Sequence, residues 1–331
     1  MPLVPTIHPD KTVTEAWVVS ERAHGQTKGM KNAVVSSPRT PASTQSAGRA
    51  RLGAAPFPLL AVHLVAIAGV LFLGWSWSGF ALAIGMYFVR MIVVTAGYHR
   101  YFAHRTFSTS RVFQFLLAVG AQSAAQKGVL WWASHHRWHH KYSDGELDVH
   151  SAKQHGFFYA HMGWLFANTW NSTDPKLVPD LYKFPELRWL DRTGAELLPA
   201  VALGLACLCL GGLHGLVWGF FVSLVMVWHG SFAINSFAHW FGRQRYVTGD
   251  ESRNHWLLAV LTCGEGWHNN HHHYPGSVRQ GFFWWEVDLT YYVLRGIELL
   301  GLVWNLRRVP DRLLAGPMVA NAGHEATHHA A

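Results

Sequence analysis

The chain has 331 residues, of which 50% are hydrophobic, 14% are aromatic and 14% are charged, and its net charge is +8. Soluble globular proteins carry about a quarter charged residues, so this composition argues against an ordinary cytosolic enzyme and against a disordered chain. The cysteines, Cys207, Cys209 and Cys263, fit neither a disulfide framework nor a zinc-finger spacing. Composition therefore favours a membrane protein in a reducing compartment. No basic helix or aromatic–basic module occurs, so nucleic acid is not expected as a partner.

Residues 1–51 are polar and basic, without the apolar core of a signal peptide, and we expect a flexible cytoplasmic arm. Charged residues are then absent from Leu52 to Val89 and again from Leu197 to Gly242. As a helix the first run would measure roughly 57 Å at 1.5 Å per residue, close to two crossings of a ~30 Å hydrocarbon core. Each run has a glycine-containing turn near its middle, at 74–79 and 211–215. We therefore predict four transmembrane helices in two hairpins, at about residues 55–73, 80–98, 196–213 and 216–238.

Lysine and arginine flank the two predicted hairpins on one side only, and the turns within the hairpins lack them. The positive-inside rule therefore places both termini and the segment between the hairpins in the cytoplasm. The predicted fold is an all-α membrane protein with a cytosolic helical cap, formed by residues 99–195 and 239–306, and a polar tail at 307–331. The uncharged segment 112–126 is too short to span and predicts an interfacial or re-entrant helix. Arg90 falls within the second span, where it must face protein or water.

Histidines cluster where the predicted spans meet the cytoplasm, in HRYFAH at 99–104, HRWHH at 136–140 and HNNHH at 268–272. The motif NSFAH at 235–239 closes the fourth span. On a helix, positions i, i+3 and i+4 share one face. Each HxxHH triad therefore aims three imidazoles the same way, and two triads can hold two metals between them. The spacing of His99 and His104 splays them by about 140° on a regular helix, so we expect His104 just past the helix end.

Nine imidazoles at one boundary exceed the needs of a single zinc site, which takes three or four ligands. Two metals with four or five nitrogen ligands each account for the number, since no Glu-x-x-His pair of a carboxylate-bridged bundle occurs in the apolar runs. Imidazole suits zinc, copper, nickel and iron. Residues expected to support the ligands from behind are Asp144, Asp148, Glu265, His135 and His273. We expect His63, His161, His214 and His229 to be hydrogen-bonded core residues, and His150, His155 and His255 to be solvated.

In this order around two hydrophobic hairpins, HRYFAH, HHRWHHKYSD, NSFAH and GEGWHNNHH resemble the membrane fatty acid desaturases, specifically the stearoyl-CoA (delta-9) branch and its bacterial members. The resemblance runs from about Phe57 to Leu306 and implies a desaturase domain over residues 52–306 with a di-iron centre. It implies that Asn235 holds a metal-bound water. It also implies that Gln126 and Trp132 line the bend of an acyl tunnel, although the sequence by itself favours a membrane-interface belt for Trp132. The implied iron ligands are His99, His104, His136, His139, His140, His239, His268, His271 and His272.

The resemblance further implies an oxidoreductase that introduces a cis double bond, at the delta-9 position, into a saturated acyl chain on coenzyme A or a glycerolipid. Such a chain offers no acidic proton, so the reaction needs an oxidant made from O2 at the metal centre, with two electrons from a separate ferredoxin- or cytochrome b5-type donor. Candidates for contacting an anionic headgroup are Arg105, Lys127, Arg137, Arg188 and Arg243. The implied location is a bacterial inner membrane, crossed several times. The alternatives are a membrane hydroxylase of acyl chains or alkanes with the same centre and, from another class, a haem protein or metal carrier.

Overall fold

The computed structural model describes residues 56–167, 172–316 and 318–319, which are mostly helical. The predicted arm, 1–51, and residues 320–331 of the predicted tail lie outside the described residues. A single two-stranded antiparallel sheet pairs β1 (Ser108–Thr109) with β2 (Val303–Trp304) in this part of the chain. The α-helices are α1 Pro56–Leu73, α2 Trp77–Val93, α3 Arg111–Gln122, α4 Val129–Tyr142, α5 Ala152–His155, α6 Phe157–His161, α7 Pro179–Tyr182, α8 Pro185–Leu190, α9 Leu198–His214, α10 Ser223–Ser236, α11 Trp256–Leu261, α12 His268–His273, α13 Leu289–Leu299 and α14 Asp311–Leu314.

The first apolar run forms two helices separated by three residues, because α1 ends at Leu73 and α2 begins at Trp77. Gly74, with φ 75°, adopts the left-handed conformation that favours glycine. The Ser76 hydroxyl then caps α2 by accepting from the backbone N–H of Gly79 at 3.1 Å. The break therefore falls inside the turn predicted at 74–79, and α2 begins three residues before the predicted second span.

The second apolar run reverses direction at Gly212, whose backbone (φ 58°, ψ −153°) is not helical. Eight residues of continuous helix would separate Cys207 and Gly215 by about 12 Å. Instead, a Cβ added to Gly215 would lie 2.3 Å from the carbonyl oxygen of Cys207. The helices on either side of Gly212 therefore pack against each other, and the reversal falls within the predicted turn. After the reversal the chain forms a π-helix, Gly215–Val222, which continues into α10.

Two of the described helical stretches are long and apolar enough to cross a membrane, Trp77–Ala103 and Ala195–His239. Phe57–Leu73 is a shorter apolar helix. Large apolar side chains on these helices are exposed, among them Leu71, Phe72 and Leu210, and Leu210 is 91% exposed. Exposed apolar surface of this extent marks contact with a lipid or protein partner. The number of membrane crossings stays a prediction.

Arg90 lies inside the protein, as its position in an apolar helix requires, and is only 1% exposed. Its guanidinium donates to the carbonyl oxygens of Phe220 and Ser123, at 3.0 and 2.8 Å, and to the hydroxyl of Ser223 at 2.9 Å. The ring of Phe220 lies 4.7 Å below it. Ser223 begins α10 and Ser123 directly follows α3. Arg90 thus connects α2 to the start of α10 and to the end of α3.

Replacing Arg90 with methionine should lower the free energy of unfolding by about 2 kcal/mol, because two buried carbonyl oxygens lose a charged donor. The measurement is the unfolding temperature of the purified protein in detergent. Arg295→Met, which removes a half-exposed arginine from α13, is the matched control and should leave that temperature nearly unchanged. Equal shifts for the two variants would contradict the assigned role of Arg90.

Candidate dimetal centre

Five histidines from three segments point their Nε2 atoms at one another. The pairs His99–His271, His104–His136, His136–His140 and His140–His271 are separated by 3.0, 2.8, 3.0 and 2.9 Å. One ligand nitrogen from each of the five lies within 4.8 Å of all the others. Nitrogens so close together are better satisfied by a shared cation than by hydrogen bonds to one another, so this group is able to hold a metal ion.

A π-helix explains how residues five apart in sequence come together. Val94–Ala103 continues α2 as a π-helix, and the N–H of His104 bonds to the carbonyl of His99 at 3.2 Å. The i→i+5 bonding of a π-helix stacks residues five apart, whereas a regular helix would splay them. His104 is the first residue after this helix, so the expectation that it lies just past the helix end is confirmed. The splay calculated for a regular helix does not apply here.

Four further histidines form a second group, His139, His239, His268 and His272, whose ligand nitrogens also lie within 4.8 Å of one another. Nε2 of His239 is 3.0 Å from Nε2 of His268. Nε2 of His272 is buried and has no hydrogen-bond partner. A buried nitrogen without a partner is costly, and a metal ion at the centre of the group would satisfy it.

The two groups are adjacent because they share two helices. On α4, His136 and His140 belong to the five-histidine group and His139 to the four-histidine group. On α12, His271 belongs to the first group, and His268 and His272 belong to the second. The rings of His140 and His272 stack across the boundary with centroids 4.5 Å apart. Each HxxHH triad therefore contributes to both histidine groups.

Carboxylates hold four of the nine imidazoles from behind. Nδ1 of His139 donates to Asp148, and Nδ1 of His239 donates to Asp144, both at 2.9 Å. Nδ1 of His272 donates to Asp250 at 2.6 Å, and Nδ1 of His99 lies 2.5 Å from Glu265. Such bonds fix the tautomer that leaves Nε2 free to ligate. The predicted supporting roles of Asp144, Asp148 and Glu265 match these contacts, whereas Asp250 was not predicted, because no spacing in the sequence relates its loop to α12.

Hydrogen bonds at Asn269 and Asn270, which lie between the histidine ligands of α12, fix the position of this short helix. Sequence analysis did not identify these asparagines. The side-chain oxygen of Asn269 accepts from the N–H groups of Arg245 and Tyr246, both at 2.7 Å. The side-chain oxygen of Asn254 accepts from the N–H groups of Asn269 and Asn270 at 3.0 and 3.1 Å. A six-residue helix is not stable alone, so these bonds supply the rigidity that α12 itself lacks.

Burial keeps most of these imidazoles neutral. Burial, reinforced by neighbouring histidines, lowers the pKa of five of them well below the ordinary range, namely His104, His136, His140, His268 and His271. Burial also lowers the pKa of His139, but the charge of Asp148 outweighs it and raises the pKa. Neutral imidazole is the form that binds a metal. Most of the site is thus ready to ligate at neutral pH.

The supporting carboxylates stay ionised although they are buried. Burial raises the pKa of Asp144, but the hydrogen bond from His239 outweighs it and the pKa falls to about 2. Burial likewise raises the pKa of Glu265, and the charges of His99 and Arg100 bring it down to about 2. Arg100 is itself buried and pairs with Glu265 at 3.0 Å. Negative charge therefore surrounds the imidazoles, which favours a bound cation.

An apolar cavity of about 330 Å³ adjoins the five-histidine group, because His136 lines it. Asn235, four residues before His239 of the second group, lines it as well. Gln126 and Trp132 also line it. The side-chain amide of Gln126 donates to the hydroxyl of Ser231 at 2.9 Å. The Trp132 ring stacks on Tyr98 and on His136, with centroids 5.3 and 4.8 Å apart. The structure thus brings the predicted substrate residues to a cavity beside the histidines, and their roles stay predictions.

The remaining histidines divide by their contacts. His150, expected to be solvated, lines the cavity and packs against His139. His135 stacks on Trp131, and His273 stacks on Tyr246 and lies 2.9 Å from the carbonyl of Leu313, so neither belongs to the two groups. His155 is exposed, and His255 caps α11 by accepting from Leu258 at 3.3 Å. His63, His161 and His229 contact one another.

Most of the basic headgroup candidates are occupied by protein partners. Arg137 makes two hydrogen bonds to Asp180, at 2.7 and 3.1 Å, and Arg105 lies 3.4 Å from the same carboxylate. Lys127 lines the cavity and is 3.8 Å from Glu196. Arg188 and Arg243 are exposed. Lys127 is therefore the candidate that this structure places beside the cavity.

These features define a helical protein with membrane-length apolar helices and two adjacent histidine groups able to hold metal ions. Residues 73–299 match the family model described as fatty acid desaturase. The chain is 37% identical over 261 residues to the sn-1 stearoyl-lipid 9-desaturase of Synechocystis sp., which covers 78% of this chain and 81% of that protein. It is 36% identical over 250 residues to the protein of the same name from Anabaena variabilis, covering 75% and 91% of the two chains. The acyl-CoA 5-desaturase AL21 of Anemone leveillei is 38% identical over 244 residues, covering 72% and 74%.

The chain belongs to the fatty acid desaturase family, and it is an oxidoreductase. Its family implies a fatty acyl substrate and oxygen. The resemblance inferred from the histidine motifs is confirmed. The haem protein and metal-carrier alternatives are not supported.

Replacing Asp250 with asparagine should weaken the metal affinity of the four-histidine group about 10–100-fold, because His272 loses the carboxylate that orients it. The five-histidine group should keep its affinity. Metal content after dialysis against graded chelator measures both. Asp311→Asn, at the exposed start of α14, is the control. If Asp250→Asn retained metal as well as the control does, the orienting role would be refuted.

Proposed function

We propose that this protein is a di-iron acyl-lipid delta-9 desaturase, which uses O2 and two electrons to convert a saturated acyl chain into a cis-unsaturated one. The observation that supports this proposal most directly is the pair of adjacent histidine groups, one of five residues and one of four, with an apolar cavity lined by His136. Two similar relatives are named stearoyl-lipid 9-desaturases. The lining of the cavity also supports a glycerolipid as the acyl carrier. Its Lys127 pairs with Glu196, so the lining offers no surplus positive charge to the phosphates of coenzyme A.

The donor set suits iron. The two groups offer nine nitrogens, enough for two ions with four or five ligands each, and imidazole is a ligand that iron accepts. In the proposed enzyme all nine histidines ligate, and Asn235 positions a water at the four-histidine group. Two bound irons would supply, together with O2, the oxidising power needed to break an unactivated C–H bond. The protein's own residues fix the ligands, exclude bulk water and place the acyl chain.

The overall reaction is balanced without any further group. Two neighbouring carbons lose one hydrogen each, and O2 is reduced to two waters with two electrons from the donor and two protons from water. We propose a ferredoxin- or cytochrome b5-type protein as that donor. A hydroxylase would instead leave one oxygen atom on the product, and the named relatives do not favour this alternative.

The cavity residues are proposed to set the position of the double bond. Trp132 is held between Tyr98 and His136 by stacking on both, so it stands next to a ligand of the five-histidine group. The bond from Gln126 to Ser231 joins the segment before α4 to α10. An acyl chain that passes these side chains can bend only where they leave room. The position of that bend determines which carbons lie beside the metals.

The proposed enzyme lies in a bacterial inner membrane with both termini in the cytoplasm. The support is the apolar length of Trp77–Ala103, the reversal of Ala195–His239 at Gly212, and the shorter Phe57–Leu73. Together these segments would supply four crossings. Both histidine groups then sit at the cytoplasmic ends of the second and fourth crossings, under a cytosolic cap that a soluble electron donor can reach.

Purified wild-type protein should contain about two irons per chain, and His139→Ala should lose desaturation altogether because the four-histidine group drops below the four ligands of a closed site. Iron analysis and mass spectrometry of the lipid product test this. His155→Ala, an exposed histidine of α5, is the control and should keep both iron and activity. Full activity in His139→Ala would contradict the site.

The same product analysis separates the rival reactions. Wild type with donor, stearoyl lipid and O2 should yield a product lighter by two hydrogens, and a product heavier by one oxygen would instead establish a hydroxylase. Without O2 no product of either kind should form. Unsaturated product under strict anaerobiosis would refute the proposed chemistry.

Trp132→Ala should broaden the set of double-bond positions and lower the yield at the delta-9 position several-fold, because removing a stacked indole leaves space for the acyl chain to shift. The positions are read by mass spectrometry after chemical derivatisation of the double bonds. Trp189→Ala, a half-exposed tryptophan of α8, should leave the product unchanged. A single unaltered position in Trp132→Ala would show that other residues select the carbons.

A further inference from the structure

Three histidines expected to be hydrogen-bonded core residues are joined to one another in a single hydrogen-bonded chain. Nε2 of His63 lies 3.1 Å from Nε2 of His229, and Nδ1 of His229 lies 3.0 Å from Nε2 of His161. The chain ends on non-histidine partners. Nδ1 of His63 is 2.7 Å from the carbonyl oxygen of Leu59, and Nδ1 of His161 is 2.9 Å from the hydroxyl of Ser236. None of the three histidines belongs to either metal group.

The chain crosses three elements behind one wall of the cavity. His63 lies on α1, His229 on α10 and His161 at the end of α6. Among the residues that the structure describes, the His63–His229 bond is the one hydrogen bond that joins α1 to another element. At the other end, Ser236 directly follows Asn235, which lines the cavity. The chain thus connects an apolar helix to the helix end that precedes His239.

Counting hydrogens defines a neutral state of the chain. A carbonyl oxygen only accepts, so the proton of a neutral His63 must sit on Nδ1, facing Leu59. Its Nε2 then accepts from His229, whose Nδ1 in turn accepts from His161. Nδ1 of His161 is left as an acceptor, and the Ser236 hydroxyl must donate to it. Three protons on three imidazoles therefore satisfy every bond, with all donors pointing from Ser236 toward Leu59.

The same heavy-atom positions accept one more proton. The hydroxyl of Ser236 also lies 3.0 Å from the carbonyl oxygen of Phe232, to which it can donate instead. His161 then carries a proton on Nδ1 and donates to Ser236. Four protons are now shared by three imidazoles, with a charge of +1, and every bond is again made. The positive charge can move along the chain as each proton crosses its N–H···N bond.

We propose that His63, His229 and His161 form a binding site for one proton, and that its uptake switches the Ser236 hydroxyl from His161 to the carbonyl of Phe232. The site links acidification of the cytoplasmic side to the end of α10, which carries Asn235 and leads into His239. Burial lowers the pKa of His161, which favours the neutral state of the chain over the loaded one.

The surroundings of the chain contain little fixed charge to mask this uptake. The titratable or charged side chains on the described elements that pack against it are few. Lys153 of α5 is held by Glu251 at 3.3 Å, His155 stacks on Tyr159, and Arg90 is bound to carbonyl and hydroxyl oxygens. Aromatic rings occupy the remaining space, with Trp228 beside His63 and Phe157 stacked on His161. The three imidazoles are therefore the groups that respond.

Nitrogen-15 NMR of full-length protein, labelled in histidine and placed in phosphatidylcholine nanodiscs, tests the proposal without any turnover. At pH 8 the spectra should show Nδ1–H on His63 and Nε2–H on His229 and His161. Between pH 8 and pH 5 the three rings together should gain about one proton and should change together. Three rings that charge separately with ordinary pKa values, or that stay neutral at pH 5, would overturn the proposal.

Two variants sharpen the test. In His229→Gln the chain is cut, so His63 and His161 should titrate independently, and amide exchange in α1 should become several-fold faster because its hydrogen bond to α10 is lost. His214→Gln removes a histidine of α9 that lies outside the chain, near Trp218, and should leave the coupled titration intact. Metal content must be the same in wild type and His229→Gln. Loss of an additional ion in the variant would show that the three rings bind a metal instead of a proton.

Discussion

The structure depends on holding nine imidazoles inside the protein with their Nε2 atoms turned toward one another. An unpaired buried nitrogen is unfavourable, and the arrangement is stabilised where a ring is held from its other side. Asp144, Asp148, Asp250 and Glu265 do this for four rings. The surrounding asparagines and Arg100 then hold the segments that carry the ligands. The segments around the histidines therefore form a polar scaffold built around one buried site.

The five-histidine group explains the departure from regular helix at its edge. The second long helix changes from α to π at Val94, which brings His99 and His104 together. The second apolar run also contains a π-helix, at Gly215–Val222, and Arg90 bonds to a carbonyl of that segment while also reaching the end of α3. The first π-helix positions His99 and His104, and the second supplies the carbonyl of Phe220 that accepts from Arg90. Irregular helix is common at functional sites for this reason.

Much of this arrangement could be predicted from sequence, since it rests on periodicity. The HxxHH triads fall on the helices α4 and α12, and the breaks at Gly74 and Gly212 fall within predicted turns. What depends on distant contacts could not be predicted. Asp250 reaches His272 from a loop, and nothing in its local sequence relates the two. His63, His161 and His229 are isolated in sequence and become a chain only when three helices pack, and the π-helix at His99 breaks the regular period on which the prediction relied.

Because α4 and α12 each supply ligands to both histidine groups, insertions and deletions should be tolerated in some segments of the protein and not in others. Inserting or deleting one residue between His136 and His140 would rotate the following side chains by about 100° and dismantle both groups at once. The loops that carry Asp144, Asp148, Asp250 and Asn254, by contrast, reach the site through single carboxylates or asparagines and can change length as long as those contacts survive. Divergent descendants of this chain should therefore differ by gaps in these loops while the spacing inside the two triads stays invariant.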